Sequence, residues 1–277
     1  MRKNILLPTD FSENAWSAAL YALKLYQEES CTFYFFHSSK MKISTMSNMS
    51  SKLLHVLAEN AMKDLNELKE TAENITTKAD HSFEVLLSTN DFLNTIETII
   101  EKNKIDLVVM GTKGATGAKE FFFGSNTVDI INKIKRCPVL VIPDAYNFVK
   151  PEHIAFPTDY NRNYGDELLA LKQLTALYKS EIDILHINTE NALSETQKYN
   201  LEQLKIALET YSHTFHWRPD YSNKEQAIKD FIDELKINIL VMVNYEHSFI
   251  ENIIKEPVIK KMGFHPTIPF LVIPRLN

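Results

Sequence analysis

The chain has 277 residues, 44% of them hydrophobic and 24% charged, and a formal net charge of −6. This excludes a disordered or fibrous chain, and it leaves no basic footprint for nucleic acid. At roughly 100–200 residues per domain, the length favours two domains, each able to bury its own core.

No apolar stretch approaches the roughly 20 residues that span a bilayer. The run Ile5–Leu7 stops at Pro8, too short for a secretion signal. The two cysteines, Cys31 and Cys137, match no zinc or redox spacing. The expectation is a cytoplasmic protein with two buried thiols and neither membrane nor nucleic acid among its partners.

In chain order, Ile5–Leu7 reads as a strand ending at Pro8-Thr9-Asp10. Ser12 then caps a helix carrying Trp16, Ala19, Leu20, Leu23 and Leu25. Cys31–His37 is a second strand, and residues 40–50 read as a Ser- and Met-rich loop. Leu54, Leu57, Ala61, Leu65 and Leu68 fall on one face of a helix over 51–72. Phe83–Leu87 is a third strand, and Phe92, Ile96, Ile99 and Ile100 mark the next helix. Ile105–Met110 is near-continuously apolar, as a strand covered on both faces should be. A helix near 126–136 and the strand Val139–Ile142 close the unit. The alternation predicts an α/β fold with a doubly wound, five-stranded parallel sheet.

The grammar then restarts. Ile5-Leu6-Leu7-Pro8-Thr9-Asp10 is echoed by Ile154-Ala155-Phe156-Pro157-Thr158-Asp159. Pro138-Val139-Leu140-Val141-Ile142-Pro143 is echoed by Pro269-Phe270-Leu271-Val272-Ile273-Pro274, and Phe36-His37 by Leu185-His186. Leu201, Leu204, Leu208 and Tyr211 form one further helix stripe; Ile228, Phe231, Ile232 and Leu235 form another, before the strand Ile239–Val243. Echoes in the same order predict a tandem duplication, with domains over 1–146 and 151–277. The closing strands Val139–Ile142 and Phe270–Ile273 would each leave a bare sheet edge, so the two domains are expected to pair there as an intrachain pseudo-dimer. Homodimers of the chain and a protein partner remain open.

Of six glycines, Gly111, Gly114, Gly117 and Gly124 fall within fourteen residues. The cluster begins where the fourth strand ends and runs into Ser125-Asn126-Thr127, which opens a helix. Ligands of open parallel sheets bind beyond the carboxyl ends of the strands. A helix N-terminus with glycines before it is a natural seat for phosphate. Ser125 and Thr127 add hydroxyls, and Lys113 adds a point charge. The spacing is GxxGxxG rather than GxGxxG, and no Gly-Lys pair exists, so neither the dinucleotide fingerprint nor a P-loop fits. Other readings are weaker. His213-x-x-His216 lacks a third metal ligand, His37 and His186 suit structural hydrogen bonds, and Asp10 suits a turn acid as well as a ligand. Phe121–Phe123 would pack between the halves rather than cover a ligand.

The pattern Gly111-Thr112-Lys113-Gly114, nine residues, then Gly124-Ser125 resembles the G-x2-G-x9-G-[ST] pattern of the universal stress protein family. Pro8-Thr9-Asp10 and Cys137-Pro138-Val139-Leu140-Val141-Ile142-Pro143 resemble its opening and ending. The resemblance implies adenine-nucleotide binding: ATP or AMP, with ADP in the same class and Mg accompanying ATP. Pro8, Thr9 and Asp10 would line the nucleoside end, and the backbone at Ser38 would meet adenine. Met110, Gly111, Gly114, Gly124, Ser125, Asn126 and Thr127 would hold ribose and phosphates. Lys113 stands where the family more often has Arg or His. The family's Gly-x-Pro turn after the third strand is replaced by Ser88-Thr89-Asn90-Asp91, which can turn and cap instead.

In the second half, Lys255 falls at the place of Gly124 and Glu256 at that of Ser125, and Val243–Ser248 lacks glycine. A carboxylate there would repel phosphate, so one nucleotide per chain is expected. The expected role is a stress-response regulatory protein in which the nucleotide is a sensor ligand. The alternative is a slow ATPase or nucleotidyl-transfer enzyme, for which no nucleophile–base pair stands out.

Overall fold

The computed structural model describes residues 2–39, 51–77, 79–112, 125–188, 192–219, 224–245 and 267–275. Contacts divide the chain into two compact units, Met1–Phe148 and Val149–Asn277.

The first unit runs β1 (Lys3–Pro8), α1 (Glu13–Leu25), β2 (Cys31–Ser38), α2 (Ser51–Ile75), β3 (His81–Ser88), α3 (Phe92–Lys102), β4 (Leu107–Gly111), α4 (Ser125–Lys133) and β5 (Val139–Ile142). Its sheet has the order β3-β2-β1-β4-β5, all parallel. The order reverses between β1 and β4, which makes their carboxyl ends the switch point of the sheet. Every residue of β4 and β5 is buried, which explains their unbroken apolar sequence. Ala18, Ala19, Ala22 and Leu25 of α1 are buried as well. Asp91 caps α3 by accepting from the Asn94 N–H at 3.2 Å, and Asn90 N–H donates to Ser88 Oγ at 3.0 Å. The Ser-Thr-Asn-Asp stretch thus turns and caps without glycine or proline.

The second unit repeats the plan with β6 (His153–Pro157), α5 (Leu168–Tyr178), β7 (Glu181–Asn188), α6 (Glu195–Leu208), β8 (His213–Pro219), α7 (Lys224–Leu235), β9 (Ile239–Asn244) and β10 (Phe270–Pro274). Its order, β8-β7-β6-β9-β10, is the same one, again parallel. The repeat reaches the backbone. Ile5 pairs with Leu107 and Ile154 with Ile239, so the two registers superimpose. Lys104 and Lys236 then match, and both are left-handed, at φ 50° and 55°. Each ends a helix through a bond five residues back, Ile105 N–H to Ile100 O at 3.0 Å and Ile237 N–H to Ile232 O at 3.1 Å. This is the Schellman geometry, usually given to glycine.

Both thiols are buried, Cys31 at 0% and Cys137 at 1% exposure. Burial, with Glu29 adding to it, pushes the Cys31 thiol up to about 12, and burial raises Cys137 as well. The thiolate is the nucleophile, so Ellman's reagent is expected to label neither cysteine in the native protein and both in guanidinium. Stoichiometric labelling of the native chain would contradict this burial.

Among the described residues, no helix is long and apolar enough to cross a membrane. No group of three His, Cys, Asp or Glu there is placed to hold a metal. His213 and His216 illustrate why. Three residues apart on a strand, they face opposite sides. His213 Nδ1 meets Tyr211 O at 2.8 Å, and His216 Nε2 meets Asp183 Oδ1 at 2.9 Å.

Candidate functional site at the carboxyl edge of the first sheet

Pro8 closes β1 opposite Phe36, and the Thr9 N–H donates to Phe36 O at 2.8 Å. The chain then turns sharply. Thr9 Oγ1 accepts from the Phe11 N–H at 3.0 Å, and Asp10 Oδ1 accepts from the Ser12 N–H at 3.1 Å and the Ser12 hydroxyl at 2.6 Å. Such side-chain turns are what Thr and Asp supply in place of glycine. Ser12 in turn caps α1, accepting from the Ala15 N–H at 3.2 Å. Asp10 therefore holds the turn and is also exposed at the sheet edge.

The turn is fixed from β2 by His37. Its Nδ1 meets Thr9 O at 2.8 Å, and its ring lies 4.5 Å from that of Phe11, whose φ is 64°. The second unit repeats the device: His186 Nδ1 meets Thr158 O at 2.9 Å, the His186 and Tyr160 rings are 4.4 Å apart, and Tyr160 has φ 56°. The histidines are structural clamps. The left-handed aromatic was missed in the sequence, because only the turn geometry marks it.

Ser38 ends β2 and donates its hydroxyl to Asn90 O at 2.8 Å, while Ser39 N–H donates to Ser88 O at 2.9 Å. The hydroxyl is thus turned toward the end of β3. Met110 is buried at 7% exposure within β4, and Gly111 ends that strand against Ile142. Thr127, at 2% exposure, donates its hydroxyl to Gly111 O at 3.1 Å. Its proton serves a tie between α4 and β4, so the donor role toward phosphate expected of it is taken while that tie is made. Ser125 and Asn126 are the first residues of α4, where unpaired N–H groups and the helix dipole favour an anion. Lys113, Gly114, Gly117, Phe121–Phe123 and Gly124 lie outside the described residues.

The structure thus brings Pro8, Thr9, Asp10, Ser38, Met110, Gly111 and Thr127 to the carboxyl ends of β1, β2 and β4 and the start of α4. One residue not singled out in the sequence joins them. Asn14, buried at 9% exposure in the first turn of α1, abuts Gly111. Thr112, the residue after Gly111, is 5% exposed, and its hydroxyl has no hydrogen-bond partner among the described residues.

The second unit fills the same edge with its own side chains. By register, Val243 stands where Gly111 does. The Arg162 guanidinium lies 4.9 Å from the Tyr245 ring centroid and 5.5 Å from that of Tyr164, and pairs with buried Glu167. Both Asp159 oxygens accept from Asn161, at 3.0 and 2.9 Å. Burial, with Asp159 beside it, pushes the Tyr245 phenol up to about 12. Lys255, Glu256 and residues 246–248 lie outside the described residues.

Comparison with known proteins agrees with this geometry. Residues 1–143 match the model of the universal stress protein family. Universal stress protein MJ0531 of Methanocaldococcus jannaschii is 29% identical over 143 residues, covering 50% of this chain and 81% of the relative. Universal stress protein MJ0577 of the same organism is 27% identical over 160 residues, covering 51% of this chain and 95% of the relative. The crystal structure of a universal stress protein from Archaeoglobus fulgidus covers 98% of this chain and 96% of its own, with a TM-score of 0.74. At 18% identity it speaks for the fold alone, along the whole tandem. With half the chain matched by the family model and both units built on one plan, the chain belongs to the universal stress protein family.

Proposed function

We propose that the first unit holds one adenine nucleotide along the carboxyl edge of its sheet, and that the chain is a nucleotide-binding regulatory protein of the stress response. The convergence of two elements at the switch point carries this reading. The Thr9-Asp10 turn at the end of β1 and the Gly111–Thr127 tie at the end of β4 flank the switch point of the sheet, and α1 and α4 both begin there. A nucleoside beside the turn and phosphates at the start of α4 use both, since helix starts favour phosphate. Val243 and the Arg162–Tyr245 stack support one nucleotide per chain, in the first unit. ATP with Mg, ADP and AMP are the ligands in this class.

The test is to release small molecules from the purified, denatured protein, and separately to melt the native protein with ATP-Mg. A ligand at 100-fold its Kd stabilises the folded state by about 2.7 kcal/mol, a rise of several degrees in Tm. Release of adenine nucleotide or such a rise is the expected result. Neither would end the reading. Multiple-turnover phosphate release abolished by Gly124→Glu would turn it toward the enzyme.

A further inference from the structure

We propose that Asn14 is a positioning residue for the phosphate-binding segment, and that position 111 is glycine because of Asn14 rather than because of phosphate. This rests on the nucleotide reading above. Gly111 lies in an ordinary strand, so left-handed freedom is not what it supplies. What it supplies is room. A Cβ on Gly111 would lie 2.7 Å from Asn14 Nδ2 and 2.8 Å from Cγ and Oδ1, well inside van der Waals contact. The amide is buried, so it has little space to swing aside. From the other side Thr127 holds the Gly111 carbonyl. The last residue of β4 is thus gripped between the first turn of α1 and that of α4.

The second unit is an internal control. There Val243 replaces Gly111, and the residue matching Asn14 in sequence, Asn163, precedes the first helix, which starts only at Leu168. The glycine is replaced and the asparagine, though kept in the sequence, no longer stands in a helix turn, in the unit whose edge carries Arg162 and Tyr245.

The grip fixes a distance. Asn14 is four residues past Asp10 on a helix start capped by Ser12, which Asp10 itself holds. Through Asn14, the turn on the nucleoside side and the segment on the phosphate side keep one spacing. A ligand that reaches from the turn to the start of α4 feels that spacing in full, whereas a nucleoside without phosphates feels it less.

The experiment is a double-mutant cycle in the full chain with N14A, G111A and N14A/G111A, reading Tm and the affinities for ATP and for adenosine. In N14A the ratio of ATP to adenosine affinity is expected to fall about 10-fold, an ordinary coupling between touching residues, because ATP affinity drops more than adenosine affinity. G111A should lower Tm and ATP affinity in the wild-type background and do markedly less in N14A, where the methyl has space. Should N14A not fold, N14S, which keeps a small polar side chain, takes its place. Equal costs of G111A in both backgrounds would overturn the proposal, since the glycine would then serve the ligand. An unchanged affinity ratio in N14A would overturn it too. Failure of the wild type to bind either ligand would instead sink the nucleotide reading and the positioning role with it; the Tm cycle would still decide why residue 111 is glycine.

Discussion

Between pH 9 and pH 10 the first unit is expected to lose stability while the second holds, and above pH 10 both decline. The cause is which acids each unit buries. Cys31 and Cys137 of the first unit ionise near 9 when unfolded, and burial raises both in the folded state, Cys31 to about 12. The second unit contains no cysteine. Among the described residues, its raised acids are Tyr160, Tyr164 and Tyr245, phenols that ionise near 10 when unfolded and that burial holds above this, Tyr245 at about 12. Above the unfolded value the unfolded chain has released protons that the folded chain keeps. Stability therefore falls with rising pH, by about 1.4 kcal/mol per pH unit for each such group. Below the unfolded value the contribution is complete. Two thiols give the first unit a slope near 2.7 kcal/mol per unit from about pH 9, and Tyr26, raised by burial, joins from pH 10.

Each unit carries one tryptophan, Trp16 and Trp217. Denaturant titrations of W217F and W16F therefore report the two units separately. Cys31→Ala/Cys137→Ala should move the onset in the first unit up to pH 10. An onset unmoved by that double substitution would show that the thiols are not the titrating groups.

The sequence carried the fold wherever the cue was local. The unbroken apolar run of β4, the turn Pro8-Thr9-Asp10 and the paired Pro-x-Leu-Val-Ile-Pro endings each report a short stretch of chain, and the strands formed there. Where a residue depends on a partner brought in by strand register, the sequence was silent. Nothing adjacent to Lys104 or Lys236 announces a left-handed helix end, because the usual sign is glycine and this chain has few. Phe11 and His37 meet only because β1 and β2 pair in parallel. Asn14 looks like any polar residue of a helix start until β4 places Gly111 against it. The candidate site was legible as a list of edge residues. What each hydroxyl or amide does was not, and Thr127, expected to donate to phosphate, instead ties β4 to α4.

The same limit hid a buried polar contact of the second unit. Asp183, at 2% exposure, accepts from His153 Nδ1 and His216 Nε2, both at 2.9 Å. The three come from β6, β7 and β8. Local spacing shows only His213 three residues from His216, whereas the partner of His216 is 33 residues away. A carboxylate that only accepts fixes the ring proton on Nδ1 of His153 and on Nε2 of His216. Asp183→Ala removes two hydrogen bonds to a carboxylate, each worth about 1.5–3 kcal/mol. The histidine side chains keep 37% and 24% of their exposure, so water recovers part of that loss.

The expected cost is about 3 kcal/mol in the second unit, read by Trp217 fluorescence in W16F, with the first unit unchanged. Asp183→Asn should cost about half as much, since its oxygen serves one ring and the other can change tautomer to accept from its amide. A cost of Asp183→Ala below about 0.5 kcal/mol, the range of ordinary surface substitutions, would remove the contact from the account of this unit's stability. By register the first unit has Asn4, Tyr34 and Leu86 at these places, so the fold itself demands no carboxylate there. Replacing all three residues of the second unit by apolar side chains of similar volume should accordingly recover most of what Asp183→Ala loses, because no ring N–H is then left without its acceptor.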